Sequence, residues 1–184
     1  MADRERQRRL EALLREHQRI VFKVAGVYAR SVHDRDDLAQ EIAAQLWRSF
    51  GRFDERRAKF TTWMYRVALN VAISHLQRSR RFGAAHFEPL DAAHLEVVAA
   101  ADAPLSDGME RDQRLIALHG LIARLDPLNR ALVLLYLDDR SYAEIADVLG
   151  ISETDVATKL NRIKQKLRSG MASAEHEGVK NGTR

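Results

Sequence analysis

Residues 125–168, LDPLNRALVLLYLDDRSYAEIADVLGISETDVATKLNRIKQKLR, constrain this chain more than any other stretch. Ser141 is placed to cap a short helix, and Glu144, three residues on, completes a capping box. Ile145, Ala146 and Leu149 turn a small apolar face inward. Gly150 suits the left-handed residue that ends such a helix, and Ser152 caps the next one. Val156, Leu160, Ile163 and Leu167 then recur at i, i+4, i+7 and i+11, one buried stripe. At 100° per residue the opposite face presents Thr154, Thr158, Asn161, Arg162 and Gln165, flanked by Lys159 and Lys166. Two short helices joined by a tight turn, the second bearing a donor- and acceptor-rich face with basic flanks, form a helix-turn-helix suited to the major groove. The same periodicity also fits a helical hairpin whose basic face is merely solvated. DNA binding is the expectation.

The rest of the chain agrees with an all-α class. Gly and Pro are scarce, and strand-type alternation is nearly absent over the 184 residues. The absence of cysteine excludes a disulfide framework and a thiolate metal site. No stretch approaches the roughly 20 apolar residues of a membrane span. The N-terminal run MADRERQRRLEALLREHQ is too charged for a secretory signal. A soluble, cytoplasmic protein with no membrane insertion of its own is expected. The net charge of +4 hides an uneven distribution: residues 1–87 hold 18 Lys+Arg against 10 Asp+Glu, residues 88–113 one against seven, and residues 114–184 eleven against nine. Two basic blocks flank an acidic one, and basic blocks favour polyanionic partners.

The acidic block, EPLDAAHLEVVAAADAPLSDGMERD, lacks a sustained helical stripe and carries Pro89, Pro104 and Gly108. It is expected to be a flexible linker over 88–113. It joins an N-terminal helical domain (1–87) to the helix-turn-helix domain (114–170), with a frayed tail at 171–184. Three helical stretches are predicted in the first domain: about Arg4 to Arg30, Asp34 to Phe50, and Phe60 to Arg80. Leu38, Ile42 and Leu46 make the stripe of the second, and Asp34 or Asp36 sits at its start, where acids favour the helix dipole. The loop from Gly51 to Ala58 holds Arg52, Arg56 and Arg57 between aromatics. In the third, Phe60, Met64, Val67 and Val71 cluster on one side and Leu69, Ile73 and Leu76 on another. Between them runs a polar strip, Arg66, Asn70, Ser74 and Gln77, with Trp63 at its edge. A helix packed on two sides with one polar strip left open is placed to offer that strip to a ligand.

With these residues assembled, the chain resembles the extracytoplasmic-function sigma factors of the sigma-70 superfamily, over about residues 10–87 and 114–170. DRDDLAQEIAAQLWRSF is similar to the family's polymerase-binding helix, an Asp-rich start followed by Leu-x-Gln-Glu and a later Leu-Trp. FDERRAKFTTWMYRVALNVAISHLQRSRR is similar to the promoter-melting segment, with its Phe-x-Thr-Trp-x-Tyr-Arg-x-Ala-x-Asn pattern. The C-terminal stretch is similar to the −35-reading helix-turn-helix.

The resemblance implies a two-domain all-α architecture: a sigma region 2-like bundle and a region 4-like helix-turn-helix joined by the acidic linker. It implies a non-enzymatic initiation factor without a cofactor, and partners in core RNA polymerase (β′ clamp and β flap) and promoter DNA. An anti-sigma factor is a further partner that the resemblance allows. Asp37, Leu38, Gln40, Glu41 and Trp47 match the polymerase-binding positions, although Leu38 and Trp47 have a second reading in the domain core, the favoured one for Leu38. Arg52, Arg56, Arg57 and Lys59 match the loop that holds a flipped −10 base, and Trp63, Arg66 and Asn70 lie beside it. Trp63 has two readings, a DNA contact or a structural ring. A base read in the single strand must be unstacked and then held by stacking and edge hydrogen bonds.

The recognition helix carries the −35 assignment on Thr154, Thr158, Lys159, Asn161, Arg162, Gln165 and Lys166. There VATKLNRI departs from the family's Val-Lys-Ser-Arg-Leu-His-Arg-Ala, and FDERRAKF departs from Arg-Gly-Glu-Ser, so neither promoter sequence transfers. Two rival readings use the same residues. One is a stand-alone helix-turn-helix regulator, which leaves DRDDLAQE and the Trp-bearing strip unexplained. The other is an enzyme with a metal-binding cluster at His33, Asp34, Asp36 and Asp37, whose adjacent spacing does not converge ligands on a helix.

Overall fold

The chain divides into two units, Met1–Leu90 and Asp91–Arg184. The structure, a computed structural model, describes residues 2–81 and 108–181. Every regular element among the described residues is helical, as an all-α class requires. Residues 88–107 of the expected linker lie outside the described residues.

The N-terminal unit is built from α1 (Ala2–Tyr28), α2 (Val32–Ser49), a 3-10 turn (Phe50–Arg52) and α3 (Phe60–Arg81). Each of the three helices packs on the other two. Leu10, Val24 and Tyr28 of α1 meet Leu38, Ile42 and Leu46 of α2 and Met64, Tyr65 and Leu69 of α3, all at most 2% exposed. Burial of such side chains is worth about 1.5–3 kcal/mol each. Ser31 opens α2: its backbone is extended (φ −148°) and its Oγ accepts the Asp34 N–H at 3.2 Å. Asp34 reciprocates by accepting the Arg30 N–H on Oδ2 at 2.8 Å. The start of α2 is therefore fixed by the Ser31 cap and by Asp34 holding the residue before it, so Asp34 does not act through the dipole alone.

Helix α3 differs from the two-sided helix expected of it. Its buried residues, Phe60, Thr62, Met64, Tyr65, Ala68, Leu69, Ala72 and Leu76, form one broad face centred on the two alanines. Val67, Val71 and Ile73 are only half-buried at its borders. Small residues at the centre bring the backbone close to α1 and α2, so the bulkier Val and Ile are displaced to the margins. The strip Arg66, Asn70, Ser74 and Gln77 is exposed as expected.

In the C-terminal unit, α4 (Gly108–Ala123), α5 (Pro127–Leu137) and α6 (Tyr142–Leu149) all pack on the long α7 (Glu153–Asn181). Helix α4 thus starts inside the expected linker, and α7 runs through most of the expected frayed tail. The tail's MASAEHE run carries no helix breaker, so helix propensity continues past residue 170. Asp126 caps α5 by accepting the Asn129 N–H at 3.0 Å, with Pro127 at the first helical position. Arg130, 3% exposed, donates to the carbonyls of Ala123 (2.5 Å) and Leu125 (3.4 Å), satisfying the open end of α4. Asp139 closes α5 in the left-handed region at φ 54°.

The capping box at Ser141 and Glu144 is present, and Gly150 is left-handed at φ 68°. The inward face of α6 consists of Ile145 and Val148; Ala146 and Leu149 are half-buried. Among the described residues no helix is long and apolar enough to cross a membrane.

Candidate functional site

On α2, Asp37, Gln40 and Trp47 share one exposed face, with Ala44 between them; Trp47 is 46% exposed. The expected docking set loses Leu38, which is 0% exposed and belongs to the core. Glu41 is half-buried and engaged within the unit. Arg78 of α3 donates to its Oε1 at 2.5 Å, and His75 Nδ1 lies 3.2 Å from its Oε2. The other ring nitrogen of His75 lies 2.7 Å from Asp34 Oδ1. Carboxylate oxygens only accept, so the doubly protonated ring is the form that makes both bonds. Burial alone would raise the Glu41 carboxyl, but hydrogen bonds and charge from Arg78 and His75 outweigh it and hold it below the usual glutamate value. Asp34 therefore turns inward while His33, Asp36 and Asp37 face solvent, and the adjacent acids do not converge on one point.

The connection from α2 to α3 is organised by aromatic rings. Trp63 packs against Phe50, Phe53 and Phe60 at centroid distances of 6.0, 5.1 and 5.5 Å, and His17 of α1 adds a ring 5.7 Å from Phe60. Such pairs add about 0.5–1.5 kcal/mol beyond their burial. Trp63 remains half-exposed, and at i, i+3 and i+7 it stands on the same ridge as Arg66 and Asn70, not at its edge. Asp54 shapes the loop: its carboxylate accepts the Arg56 N–H at 3.0 Å, and its carbonyl accepts the Arg57 N–H at 3.0 Å. Its Oδ atoms lie 3.6 and 3.8 Å from the guanidinium groups of Arg56 and Arg57. Arg52, Arg56, Arg57 and Lys59 are all exposed. Asp54 was not among the expected residues, although an Asp two places before a loop cation is an Asx-turn signal.

In the C-terminal unit, Ser152 Oγ accepts the Asp155 N–H at 3.1 Å and donates to its carboxylate at 2.7 Å, fixing the first turn of α7. Thr154, Thr158, Asn161, Arg162 and Gln165 are exposed on one arc of roughly 100°. Lys159, half-buried, and Lys166, exposed, both stand on one margin of that arc. The opposite margin is held by exposed Arg168, which the pattern of residues did not single out. Lys164 covers the Tyr136 ring, with its Nζ 3.9 Å from the centroid. The arrangement gives a polar face with cations on each side.

Comparison with known proteins follows the same division. The family model for sigma-70 region 2 matches residues 13–82, and that for sigma-70 region 4 matches residues 115–167. The chain is 32% identical over 156 residues to the RNA polymerase sigma-H factor of Pseudomonas aeruginosa, covering 79% of this chain and 78% of that one. It is 26% identical over 145 residues to the ECF RNA polymerase sigma factor SigW of Bacillus subtilis, covering 75% of each. Among solved structures, CnrH in complex with the cytosolic domain of CnrY aligns with a TM-score of 0.62 at 23% identity, covering 91% of this chain and 90% of that one. That likeness speaks for the fold.

Proposed function

The chain belongs to the extracytoplasmic-function group of the sigma-70 family, an alternative sigma factor that binds core RNA polymerase and promoter DNA to direct promoter-specific transcription initiation, and from that premise we propose how its surfaces divide the work. The exposed face of α2 (Asp37, Gln40, Trp47) docks on the β′ clamp. Glu41 contributes by bracing α2 against α3, not by direct contact. The ridge Trp63, Arg66 and Asn70, with Arg52, Arg56, Arg57 and Lys59 of the adjoining loop, holds melted −10 DNA. The polar arc of α7 reads the −35 duplex, with Lys159, Lys166 and Arg168 toward the phosphates, while the same unit meets the β flap. Tethering two modest DNA contacts to one polymerase supplies affinity through effective concentration, so the free chain binds promoters weakly.

An anti-sigma factor is the third partner proposed, on the likeness to a chain whose solved structure holds another protein's cytosolic domain. The observation that carries the reading is the segregation of chemistry. An acid-and-tryptophan face is exposed on α2, while a basic loop and an amide-bearing ridge are exposed on α3.

Reconstitution with bacterial core polymerase and a genomic fragment library, followed by start-site mapping, tests the function. Asp37→Arg with Gln40→Arg should abolish core binding and leave the fold intact. Asn70→Ala should keep core affinity and lose open complexes. If Asn70→Ala loses core affinity while capturing −10 DNA normally, this division is wrong.

A further inference from the structure

Helix α1 begins well before it has a core to pack on. Glu5, Arg6, Gln7, Arg8 and Arg9 are all exposed, and Leu10 is its first buried residue. Isolated helical turns are marginal in water, so this cationic overhang is notable for where it leads. It runs alongside the turn after α2 and encloses two recesses of about 590 and 310 Å³ that share Arg6, Phe50 and Gly51. Volumes of this order suit a small ligand or one unit of a polymer. The floor is aromatic: Phe50 and Phe53 stack at 5.9 Å with their planes 22° apart, and Phe53 is half-exposed. The rim is mixed in charge, with Arg6 and Arg9 on one side and Arg56 on the other. The acids at the rim are Glu5, Asp54 and Glu55; Asp54 is engaged by the loop arginines, and Glu55 pairs with Arg9.

We infer that the first turns of α1 form the second wall of a groove for the sugar-phosphate backbone of the melted −10 strand. Arg6 and Arg9 are its phosphate contacts, and Glu55 is the anion that holds Arg9 when no strand is bound. The inference rests on the −10 reading proposed above and extends it to a helix that reading leaves out. An aromatic floor with Arg6 and Arg9 on one side and Arg56 on the other holds the elements of a single-strand groove, where bases stack and cations follow the backbone. Contact between Phe53 and Trp63, at 5.1 Å, joins this floor to the ridge on α3. Exchange of one anion for another at Arg9 keeps the guanidinium paired and releases the Glu55 carboxylate, 58% exposed, to solvent.

The test uses the full chain assembled with bacterial core polymerase, and retention of a randomised single-stranded DNA pool across a salt series. The same pool annealed to duplex is run in parallel. Arg6→Ala with Arg9→Ala should weaken retention of all single strands alike. It should flatten the log–log salt slope by about 0.7 per lost phosphate contact, about 2.6-fold for each between 50 and 200 mM salt. Glu55→Gln should raise retention, and the gain should vanish in the Arg9→Ala background. All substituted residues are exposed, so circular dichroism should be unchanged. The inference is overturned if Glu55→Gln changes neither retention nor slope, or if the arginine pair weakens duplex as much as single strand. Arg66→Ala with Asn70→Ala supplies the separate control: it should alter which sequences are retained. If it does not, the −10 reading itself fails, while the salt slope still decides the role of α1.

Discussion

Replacing His75 by Ala should cost the N-terminal unit about 2–3 kcal/mol, and the structure gives the terms. The imidazole side chain is 18% exposed and bridges Asp34, 23% exposed, to Glu41, 35% exposed. A hydrogen bond to a charged group contributes about 1.5–3 kcal/mol. The Asp34 bond, short and mostly buried, counts nearly in full. The Glu41 bond counts for little, because solvent screens that carboxylate and Arg78 still holds it. Asp34 retains the Arg30 N–H, so its desolvation is only partly uncompensated; the lost ring packing adds a little. The chain has two tryptophans, Trp47 and Trp63, both in this unit, so selectively excited tryptophan fluorescence during urea unfolding reports on it. With m of about 1–2 kcal/mol per M, the midpoint should fall by about 1–3 M at constant m. His75→Gln, with one donor end, should lie between. A His75→Ala shift within about 0.5 kcal/mol, the range of an ordinary surface change, would refute the clamp.

Three further outcomes are expected. Because the Glu41 carboxyl is depressed in the fold, its stabilisation is complete above the unfolded value near 4.5 and is lost as pH falls through the lower folded value. Glu41→Gln should therefore flatten the acid limb of stability against pH, measured by the same fluorescence. Gly150→Ala should destabilise the C-terminal unit by about 1–2 kcal/mol, a purely backbone cost, since no atom lies within 4 Å of the added methyl; faster hydrogen exchange in α6 and α7 reports it. Arg162→Ala should cost about 1–3 kcal/mol at one −35 position, whereas Lys166→Ala should weaken every promoter alike and reduce the salt slope by about 0.9; a randomised −35 library separates the two.

What could be read before the structure was local. The Ser141–Glu144 box and the left-handed Gly150 involve partners within a few residues, so residue type and spacing suffice. The reading face of α7 follows from the 3.6 period of its buried stripe, and only its second flank, Arg168, escaped notice. The two-sided picture of α3 failed because hydrophobic periodicity weights Val and Ile above Ala and Tyr. Close packing reverses that order: Ala68, Ala72 and Tyr65 are fully buried. The His75 clamp was invisible for a different reason: its partners lie 41 and 34 residues away, and no local rule pairs them. Arg130 shows the same limit on a smaller scale, a cation buried because it closes the helix before its own. The docking residues divided along this line too. Asp37, Gln40 and Trp47 are exposed by helical phase, whereas the fates of Leu38 and Glu41 were set by tertiary neighbours.

Asp34 has a consequence for the order in which this protein comes into being. Its carboxylate serves the entry to α2 through the Arg30 N–H and, on its other oxygen, waits for a histidine 41 residues later in the chain. A ribosome delivers α2 long before it delivers His75. During that interval the nascent chain holds α2, the proposed docking helix, without its His75 brace, and Leu38, Ile42 and Leu46 have no α3 to pack against. The clamp between α2 and α3 can close only once synthesis has passed the ridge of Trp63, Arg66 and Asn70. On the division of labour proposed above, a product truncated before α3 would carry the α2 docking residues without the contacts that brace them.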